Sequence, residues 1–155
     1  MLHGAPLWLL IRDSVGGMTE IQIVEQFLAA LETGNVDAAL MLCADDVTYQ
    51  NVPLPPARGL SEVGRQLRVM GKYTTDFEVR MINIAANGPV VLTERIDVLS
   101  RGSVSAEFWV CGTFEVRDGQ IVLWRDYFDW TTFIAAGVKG VGRAAYGAIR
   151  KAVGR

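Results

Sequence analysis

Apolar residues recur at helical spacing through the first half of the chain, and this pattern predicts three helices. Thr19 and Gln22 have the spacing of a capping box at the start of the first helix. Asn35 is the predicted cap of the second helix, and the third is expected to begin at Ser61 and end near Gly71. The apolar positions of the three helices are Ile23, Val24, Phe27, Leu28, Leu31, Ala39, Leu40, Leu42, Val63, Leu67 and Met70.

Alternating apolar and polar positions then replace the helical period and predict β-strands. A short strand is expected over 47–51, where it is ended by a proline-rich loop. Four further strands are predicted over 77–84, 90–99, 105–116 and 121–130. Glycine-containing turns connect these four strands, so they are predicted to form an antiparallel meander.

Helical spacing returns at the C-terminal end, where Thr131 is the predicted cap and Asp129 is expected at the surface or in a cap. Four glycines are expected to weaken this helix. Its predicted apolar side consists of Phe133, Ile134, Val138, Val141, Ala145 and Ile149. Helices followed by antiparallel strands predict an α+β domain whose helices cover one concave face of the sheet.

The 155 residues, half of them hydrophobic, suit a single domain with a substantial core. We predict a loosely docked N-terminal arm over 1–17 and one domain over 18–155. The apolar run 6–11 is too short to span a bilayer and lacks the flanks of a signal peptide, so no membrane association is expected. A formal net charge of −2 without a long basic run gives no reason to expect a nucleic-acid partner.

The two cysteines, Cys43 and Cys111, lie in apolar segments and are predicted to be buried thiols. A disulfide between them is left open by the sequence. A reducing, cytoplasmic setting is the simpler interpretation.

Asp126 lies in an apolar strand, and its neighbours indicate chemistry. Period-2 alternation places it on one face with Trp124 and Phe128. A carboxylate between aromatic rings is costly to desolvate unless it has a charged partner. Arg95 and Asp97, two residues apart on another predicted strand, share a face and could supply that partner.

The sequence lacks the residues that several classes of catalysis require. The sole histidine, His3, lies in the predicted arm, so Ser-His-Asp and Cys-His catalysis are not expected. There is no Gly-x-Ser-x-Gly elbow and no zinc-ligand spacing. The stretch 140–145 loosely matches a dinucleotide fingerprint, but no strand precedes it and no acidic residue follows at the required distance. We therefore expect neither a metal nor a cofactor.

Two aspartates joined by an arginine in a dry site cannot easily both ionise, so one can donate a proton while the other accepts one from water. Tyr49 and Asn51, on one face of the strand over 47–51, could hold that water. Less specific interpretations remain open at this point. An Arg-x-Asp sequence is often an exposed cross-strand pair, a lone aspartate often caps buried backbone donors, and Tyr-x-Asn before prolines is often a turn.

The stretches of sequence around Tyr49, Asp97 and Asp126 resemble the limonene-1,2-epoxide hydrolase family. The matching stretches are 49–56, 93–99 and 124–129, and the similarity extends over roughly 18–133. The resemblance implies a cone-shaped, nuclear-transport-factor-2-like fold, in which helices close over a strongly curved, six-stranded mixed sheet and leave a deep apolar pocket. It also implies a homodimer and one-step, cofactor-independent hydrolysis of an epoxide to a vicinal diol.

The same resemblance assigns roles to five residues. Asp126 is implied as the base, Tyr49 and Asn51 as holders of the water, Asp97 as the acid and Arg95 as the bridge. We therefore predict a hydrolase whose partners are water and an apolar, cyclic or terpenoid-like epoxide. Face parity predicts the pocket wall to consist of Leu28, Leu31, Val79, Leu99, Phe108, Val110, Phe128 and Phe133.

Two alternatives accompany this prediction. The first is an isomerase or polyketide cyclase on the same scaffold, since a fold alone does not fix the reaction. An isomerase needs one carboxylate base and an oxyanion donor pair rather than two bridged aspartates. The second is a non-catalytic carrier of apolar ligands, which would gain nothing from a buried Asp–Arg–Asp set.

Overall fold

The computed structural model describes residues 17–153, so the predicted arm over 1–17 lies outside the described residues except for Gly17. The described part of the chain contains four helices and six strands. In chain order they are α1 (Glu20–Glu32), α2 (Val36–Met41), β1 (Cys43–Val52), β2 (Ala57–Arg58), α3 (Leu60–Tyr73), β3 (Asp76–Asn87), β4 (Val90–Arg101), β5 (Val104–Arg117), β6 (Gln120–Tyr127) and α4 (Trp130–Val153).

The strands form one curved, mixed sheet in the order β2-β1-β6-β5-β4-β3. The predicted antiparallel meander is confirmed for β3 to β6. The meander does not include β1, which pairs in parallel with β6, or the two-residue β2, which pairs antiparallel to β1. The α+β class and the six-stranded mixed sheet implied by the resemblance are therefore confirmed.

The hairpin turns of the meander are where the sequence places them. Gly88, Gly102 and Gly119 have φ values of 57°, 60° and 76°, in the left-handed region where a residue without a Cβ is favoured. The register of β4 on β5 follows from the turn at Gly102, whereas the register of β5 on β6 is set by the turn at Gly119 and by a shift between Glu115 and Val116. This register decides which side chains meet on the concave face.

The predicted helix caps are confirmed for the first two helices. The backbone N–H of Gln22 donates to Thr19 Oγ1 at 3.3 Å, and Gln22 Oε1 accepts from the Thr19 backbone N–H at 2.9 Å. Asn35 Oδ1 accepts from the Ala38 N–H at 3.0 Å. The predicted start of the third helix at Ser61 is one residue late, because Gly59, at φ 80°, occupies the N-cap position.

The last strand is shorter than predicted, and the cap of the following helix differs. β6 ends at Tyr127, and Trp130 begins α4. Asp129, not Thr131, caps this helix: its Oδ1 accepts from the Thr131 N–H at 2.8 Å, and its carbonyl accepts from the Phe133 N–H at 2.9 Å. The expected capping role of Asp129 is thus borne out.

Helix α4 is continuous over 24 residues despite its glycines. It packs against β5 through a face that includes Gly140, where a Cβ would collide with the Ser105 carbonyl oxygen. The predicted apolar side is wrong for most of its length, because Ile134, Val138 and Val141 are 60%, 67% and 58% exposed. Close backbone approach, rather than side-chain size, decides which face of the helix meets the sheet.

The core lies between α1 and the concave face of the sheet. All five apolar positions predicted for α1 are buried, and Phe27 packs edge-on against Phe114 and Trp124. Both cysteines are free thiols: Cys43 is buried, which raises its pKa to about 12, whereas Cys111 is only partly buried. None of the helices between residues 17 and 153 combines the length and apolarity needed to cross a membrane.

Candidate active site

A cavity of about 510 Å³ opens into the concave side of the sheet. Its walls come from the C-terminal end of α1, from α3, from strands of the sheet and from the first turn of α4. The volume is within the range of pockets that enclose a small organic ligand. Most of the wall is apolar, and it includes three aspartates from different strands, Asp76, Asp97 and Asp126, as well as Glu32 from α1.

Asp97, Arg95 and Asp126 form one hydrogen-bonded set in this cavity. Arg95 Nε donates to Asp97 Oδ1 at 2.8 Å, and Arg95 Nη2 donates to Asp97 Oδ2 at 3.2 Å. The same Nη2 donates to Asp126 Oδ2 at 2.8 Å. The guanidinium is 0% exposed and the two carboxyl side chains are 7% and 6% exposed, so the interpretation as an exposed cross-strand pair is wrong.

The sheet register holds this set in place. Arg95 and Asp97 share the concave face of β4, and Thr93 on the same face accepts from Arg95 Nη1 at 3.0 Å. Gly112 on β5 lies directly opposite both Thr93 and Asp126. A Cβ at this glycine would lie 2.5 Å from Thr93 Oγ1 and 2.9 Å from Asp126 Oδ1, so only glycine leaves room for the set.

Burial and the shared arginine set the electrostatics of the two aspartates. Burial raises the pKa of Asp97 to about 6, although Arg95 opposes the rise. Burial also raises the pKa of Asp126, again against Arg95. Burial alone would lower the pKa of Arg95, but the two carboxylates outweigh it and hold this pKa above its ordinary value. One retained proton leaves the set without net charge, which is the least costly state in a dry site.

Tyr49 and Asn51 lie beside Asp126 because β1 pairs with β6. The parallel register places Asn51 opposite Asp126 and Tyr49 opposite Trp124. Asn51 Nδ2 donates to the Tyr49 hydroxyl oxygen at 2.7 Å, which leaves the hydroxyl hydrogen and the Asn51 carbonyl oxygen for another partner. Both residues belong to a strand, so their interpretation as a turn is wrong.

Asp126 and the Tyr49 hydroxyl can both form a hydrogen bond with a small polar molecule in the cavity. Asp126 Oδ1 is buried and makes no hydrogen bond with any residue between 17 and 153. The Tyr49 ring stacks on Trp124 with centroids 4.0 Å apart, which fixes the direction of its hydroxyl. Burial raises the pKa of Tyr49, so the hydroxyl keeps its proton at neutral pH.

Six of the eight predicted wall residues line the cavity, and two do not. Leu28 is a core residue at 2% exposure, and Val79 packs against the core from the edge strand β3. Parity identifies the face on which a side chain lies but not how far along that face the cavity extends. The six predicted residues that line the cavity are Leu31, Leu99, Phe108, Val110, Phe128 and Phe133.

Further apolar residues line the cavity without having been predicted. Leu67 and Met70 lie on the inward side of α3, a position that helical spacing indicated. Phe77 precedes Val79 by two residues, and Trp124 precedes Asp126 by two, so strand parity could have identified both. Trp130 was assigned to a strand, but it lies in the first turn of α4, where its Nε1 donates to the Val52 carbonyl at 2.8 Å.

The fold and the site together define a class of protein, an NTF2-like fold with two bridged aspartates in its cavity. The fold is that of the NTF2-like proteins: an NTF2-like protein of unknown function from Burkholderia pseudomallei superimposes with a TM-score of 0.69 at 17% identity, over 77% of this chain and 98% of the other. At this identity the similarity concerns the fold alone. Within this fold, the described chain has an apolar cavity containing two bridged aspartates.

The sequence comparisons then give the family. Residues 18–139 match the model of the limonene-1,2-epoxide hydrolase catalytic domain. The chain is 46% identical over 106 residues to epoxide hydrolase EphG of Mycobacterium tuberculosis, covering 68% of this chain and 70% of that protein. A structure of an M. tuberculosis LEH-like epoxide hydrolase superimposes with a TM-score of 0.76 at 40% identity, over 83% of this chain and 96% of the other.

The chain therefore belongs to the limonene-1,2-epoxide hydrolase family, as the resemblance of its motifs predicted, and it is an epoxide hydrolase.

Proposed function

We propose that the enzyme adds water to an apolar, cyclic or terpenoid-like epoxide in one step and releases a vicinal diol. The observation that carries this proposal is the buried Asp97–Arg95–Asp126 set in a cavity whose wall is mostly apolar. Aromatic and aliphatic walls favour a hydrocarbon skeleton. The two carboxyl groups supply the acid and the base that ring opening by water requires, and the proposed reaction needs no cofactor.

Asp126 is proposed as the base that takes a proton from the attacking water. Its free Oδ1 and the carbonyl oxygen of Asn51 can each accept one hydrogen of a water molecule, and the Tyr49 hydroxyl can donate to the water oxygen. Three hydrogen bonds leave one lone pair of this water free. That lone pair attacks the epoxide carbon, so the side chains orient the nucleophile as well as deprotonate it.

Asp97 is proposed as the acid that protonates the epoxide oxygen. As the new C–O bond forms, the ring C–O bond breaks and its electron pair takes the proton of Asp97. The proton lost by the water resides on Asp126, and one proton transfer from Asp126 to Asp97 restores the starting state. Arg95 stays charged and neutralises whichever aspartate is ionised.

A single-turnover experiment with limonene oxide in ¹⁸O-labelled water tests this proposal. We expect the diol to carry the label and the carboxyl groups of Asp97 and Asp126 to remain unlabelled when their peptides are analysed by mass spectrometry. Label in either carboxyl group would indicate an ester intermediate instead. A rearranged product without label would favour the isomerase alternative, and recovery of bound, unchanged epoxide would favour the carrier.

Removal of the water-holding groups should lower kcat more than it changes KM. Tyr49→Phe deletes one hydroxyl with little change of shape, and we expect kcat to fall by about 10- to 100-fold. Asn51→Ala should cost more, because it removes an acceptor for the water and the donor to Tyr49. Steady-state kinetics on the purified variants measure both effects, and full kcat in both variants would contradict the proposed water site.

We further propose that the enzyme is a homodimer formed through the outer face of the sheet. Leu92, Trp109 and Tyr127 lie on the face opposite Asp97 and Asp126, and they are 49%, 47% and 39% exposed. They belong to β4, β5 and β6, which are inner strands of the sheet, and no helix of residues 17–153 covers them. A second copy placed back to back would bury this apolar surface.

Light scattering coupled to gel filtration tests the dimer. We expect twice the chain mass of 17.0 kDa for the wild type and a shift towards the single-chain mass for Trp109→Glu, which places a charge beside Glu94 at the centre of this surface. Tyr146→Glu is the control, because Tyr146 is 68% exposed but lies on α4. A mass that depends on Tyr146 rather than Trp109 would place the contact on α4.

Two further assignments belong to this proposal. Residues 18–155 are taken as one catalytic domain preceded by an arm over 1–17, and the enzyme is taken to act in the cytoplasm.

A further inference from the structure

Glu32 brings an additional carboxyl group to the cavity beside Asp97. It is the last residue of α1, and its Oε1 accepts a hydrogen bond from the backbone N–H of Val79 at 2.7 Å. Val79 lies on the edge strand β3, directly opposite Asp97 on β4. This hydrogen bond fixes the Glu32 carboxyl group one strand away from Asp97, and both residues line the cavity.

The charged groups around Asp97 come from several elements. On its own strand Arg95 donates to it, and from β6 Asp126 is linked to it through Arg95. The neighbours on the adjacent strands are Val79 and Phe108, which carry no charge. Tyr49 on β1 keeps its proton, because burial raises its pKa. Asp76, at the start of β3, lines the same cavity. Glu32 is the group that α1 contributes.

We propose that Glu32 is a positioning residue that favours the protonated form of Asp97 and so keeps the acid ready for ring opening. The inference rests on the proposed role of Asp97 as the acid. A carboxylate held beside a second carboxyl group disfavours the ionised form of that group. Glu32 therefore acts on the reaction through Asp97, while its bond to Val79 keeps its own carboxyl group in place.

The electrostatics of Asp97 agree with this geometry. Burial is the main reason that the pKa of Asp97 rises to about 6; Arg95 opposes the rise, whereas Asp126 and Glu32 add to it. Removing the charge of Glu32 should therefore lower this pKa. Because Asp97 must be protonated to act, kcat/KM falls as the pH rises through the pKa. A lower pKa moves this alkaline limb to lower pH.

Glu32→Gln tests the charge while it keeps an oxygen that can accept from Val79. The interaction between Glu32 and Asp97 is weakened by partly aqueous surroundings. We therefore expect the alkaline limb of kcat/KM against pH to move to lower pH by about half a unit, which lowers kcat/KM about threefold on the alkaline side. The shift should shrink in high salt, because an exposed charge is screened. Glu25→Gln makes the same charge change at an exposed position of α1 outside the cavity and should leave the profile in place.

The outcomes of this experiment separate the role of Glu32 from the proposed function. An alkaline limb that is identical in the wild type and in Glu32→Gln would overturn the role of Glu32. So would a loss of equal size at every pH, since that pattern indicates anchoring of β3 rather than electrostatic support. If the wild type forms no diol at all, the proposed function itself has failed, and this result is distinguishable from a diol-forming enzyme that does not respond to Glu32.

Discussion

Asp97→Asn and Asp126→Asn are each expected to remove nearly all epoxide hydrolysis, with kcat/KM falling on the order of 10³-fold or more. The amide at position 97 cannot donate an acidic proton to the epoxide oxygen, and the amide at position 126 cannot accept one from water. In the proposed one-step reaction, both transfers belong to one transition state. Loss of either group therefore removes the advantage that the other provides.

The double variant shows whether Asp97 and Asp126 act together in one step or contribute independently to the rate. If the aspartates act as a unit, Asp97→Asn combined with Asp126→Asn should be little worse than either single variant. Modest losses that add would mean that the two carboxyl groups do not share a transition state. Thermal unfolding and circular dichroism of each variant provide the control, since asparagine has the shape of aspartate and should preserve the fold.

The arrangement of Asp97, Arg95 and Asp126 could be predicted in large part from local signals. Arg95 and Asp97 share a face because they are two residues apart on one strand. Asp126 reaches the same face through two tight turns, from β4 to β5 and from β5 to β6, together with a register shift between Glu115 and Val116 that places it opposite Gly112. Alternation and the turns are local signals that the sequence contains, whereas the register shift is a feature of the folded sheet that neither of them predicts.

The residues that surround Asp97, Arg95 and Asp126 are brought there by long-range contacts, which the alternation of apolar and polar residues does not predict. Tyr49 and Asn51 lie beside Asp126 through a parallel pairing of β1 with β6, which are separated by about half the length of the chain. Neither strand carries a local signal for its partner, and only the family resemblance implied a mixed sheet. Strand parity places Val79 on the face that it shares with Asp97, but it does not show that the cavity excludes this residue.

The C-terminal helix was predicted, but the face through which it packs was wrong for a different reason. The glycines predicted a weak helix, because glycine has a low helix propensity. Amphipathic spacing predicted that the face with the larger apolar residues would be buried. Instead, α4 contacts β5 at Gly140, whose backbone lies close to the Ser105 carbonyl oxygen. Packing of the backbone therefore overrides both the propensity and the hydrophobic pattern.

Arg95→Met is expected to destabilise the fold as well as to inactivate the enzyme. The substitution leaves two carboxyl groups buried without the cation that neutralises them, and removal of one partner from a buried ion pair costs about 3–5 kcal/mol. For a chain of this size, such a loss lowers the melting temperature by on the order of 10 °C. Activity should fall on the order of 10³-fold, since neither aspartate can then remain ionised at low cost.

The pH dependence of this loss distinguishes a missing charge from a packing defect. Burial raises the pKa of both aspartates in the folded protein, and without Arg95 both values should rise further. A folded state that binds protons more tightly than the unfolded state loses stability as the pH rises through its pKa values. The melting temperature of Arg95→Met should therefore lie closer to that of the wild type at pH 5 than at pH 8.

Arg80→Met is the matched control for Arg95→Met, because Arg80 makes ion pairs with Glu78 and Glu107 on the exposed side of the sheet. Exposed pairs of this kind contribute about 0–1 kcal/mol, so the control should melt within a few degrees of the wild type. An Arg95→Met protein that loses the same stability at both pH values would mean that the guanidinium serves mainly to fill space. A larger loss at pH 8 would mean that it holds one aspartate ionised against burial, the state from which the proposed reaction begins.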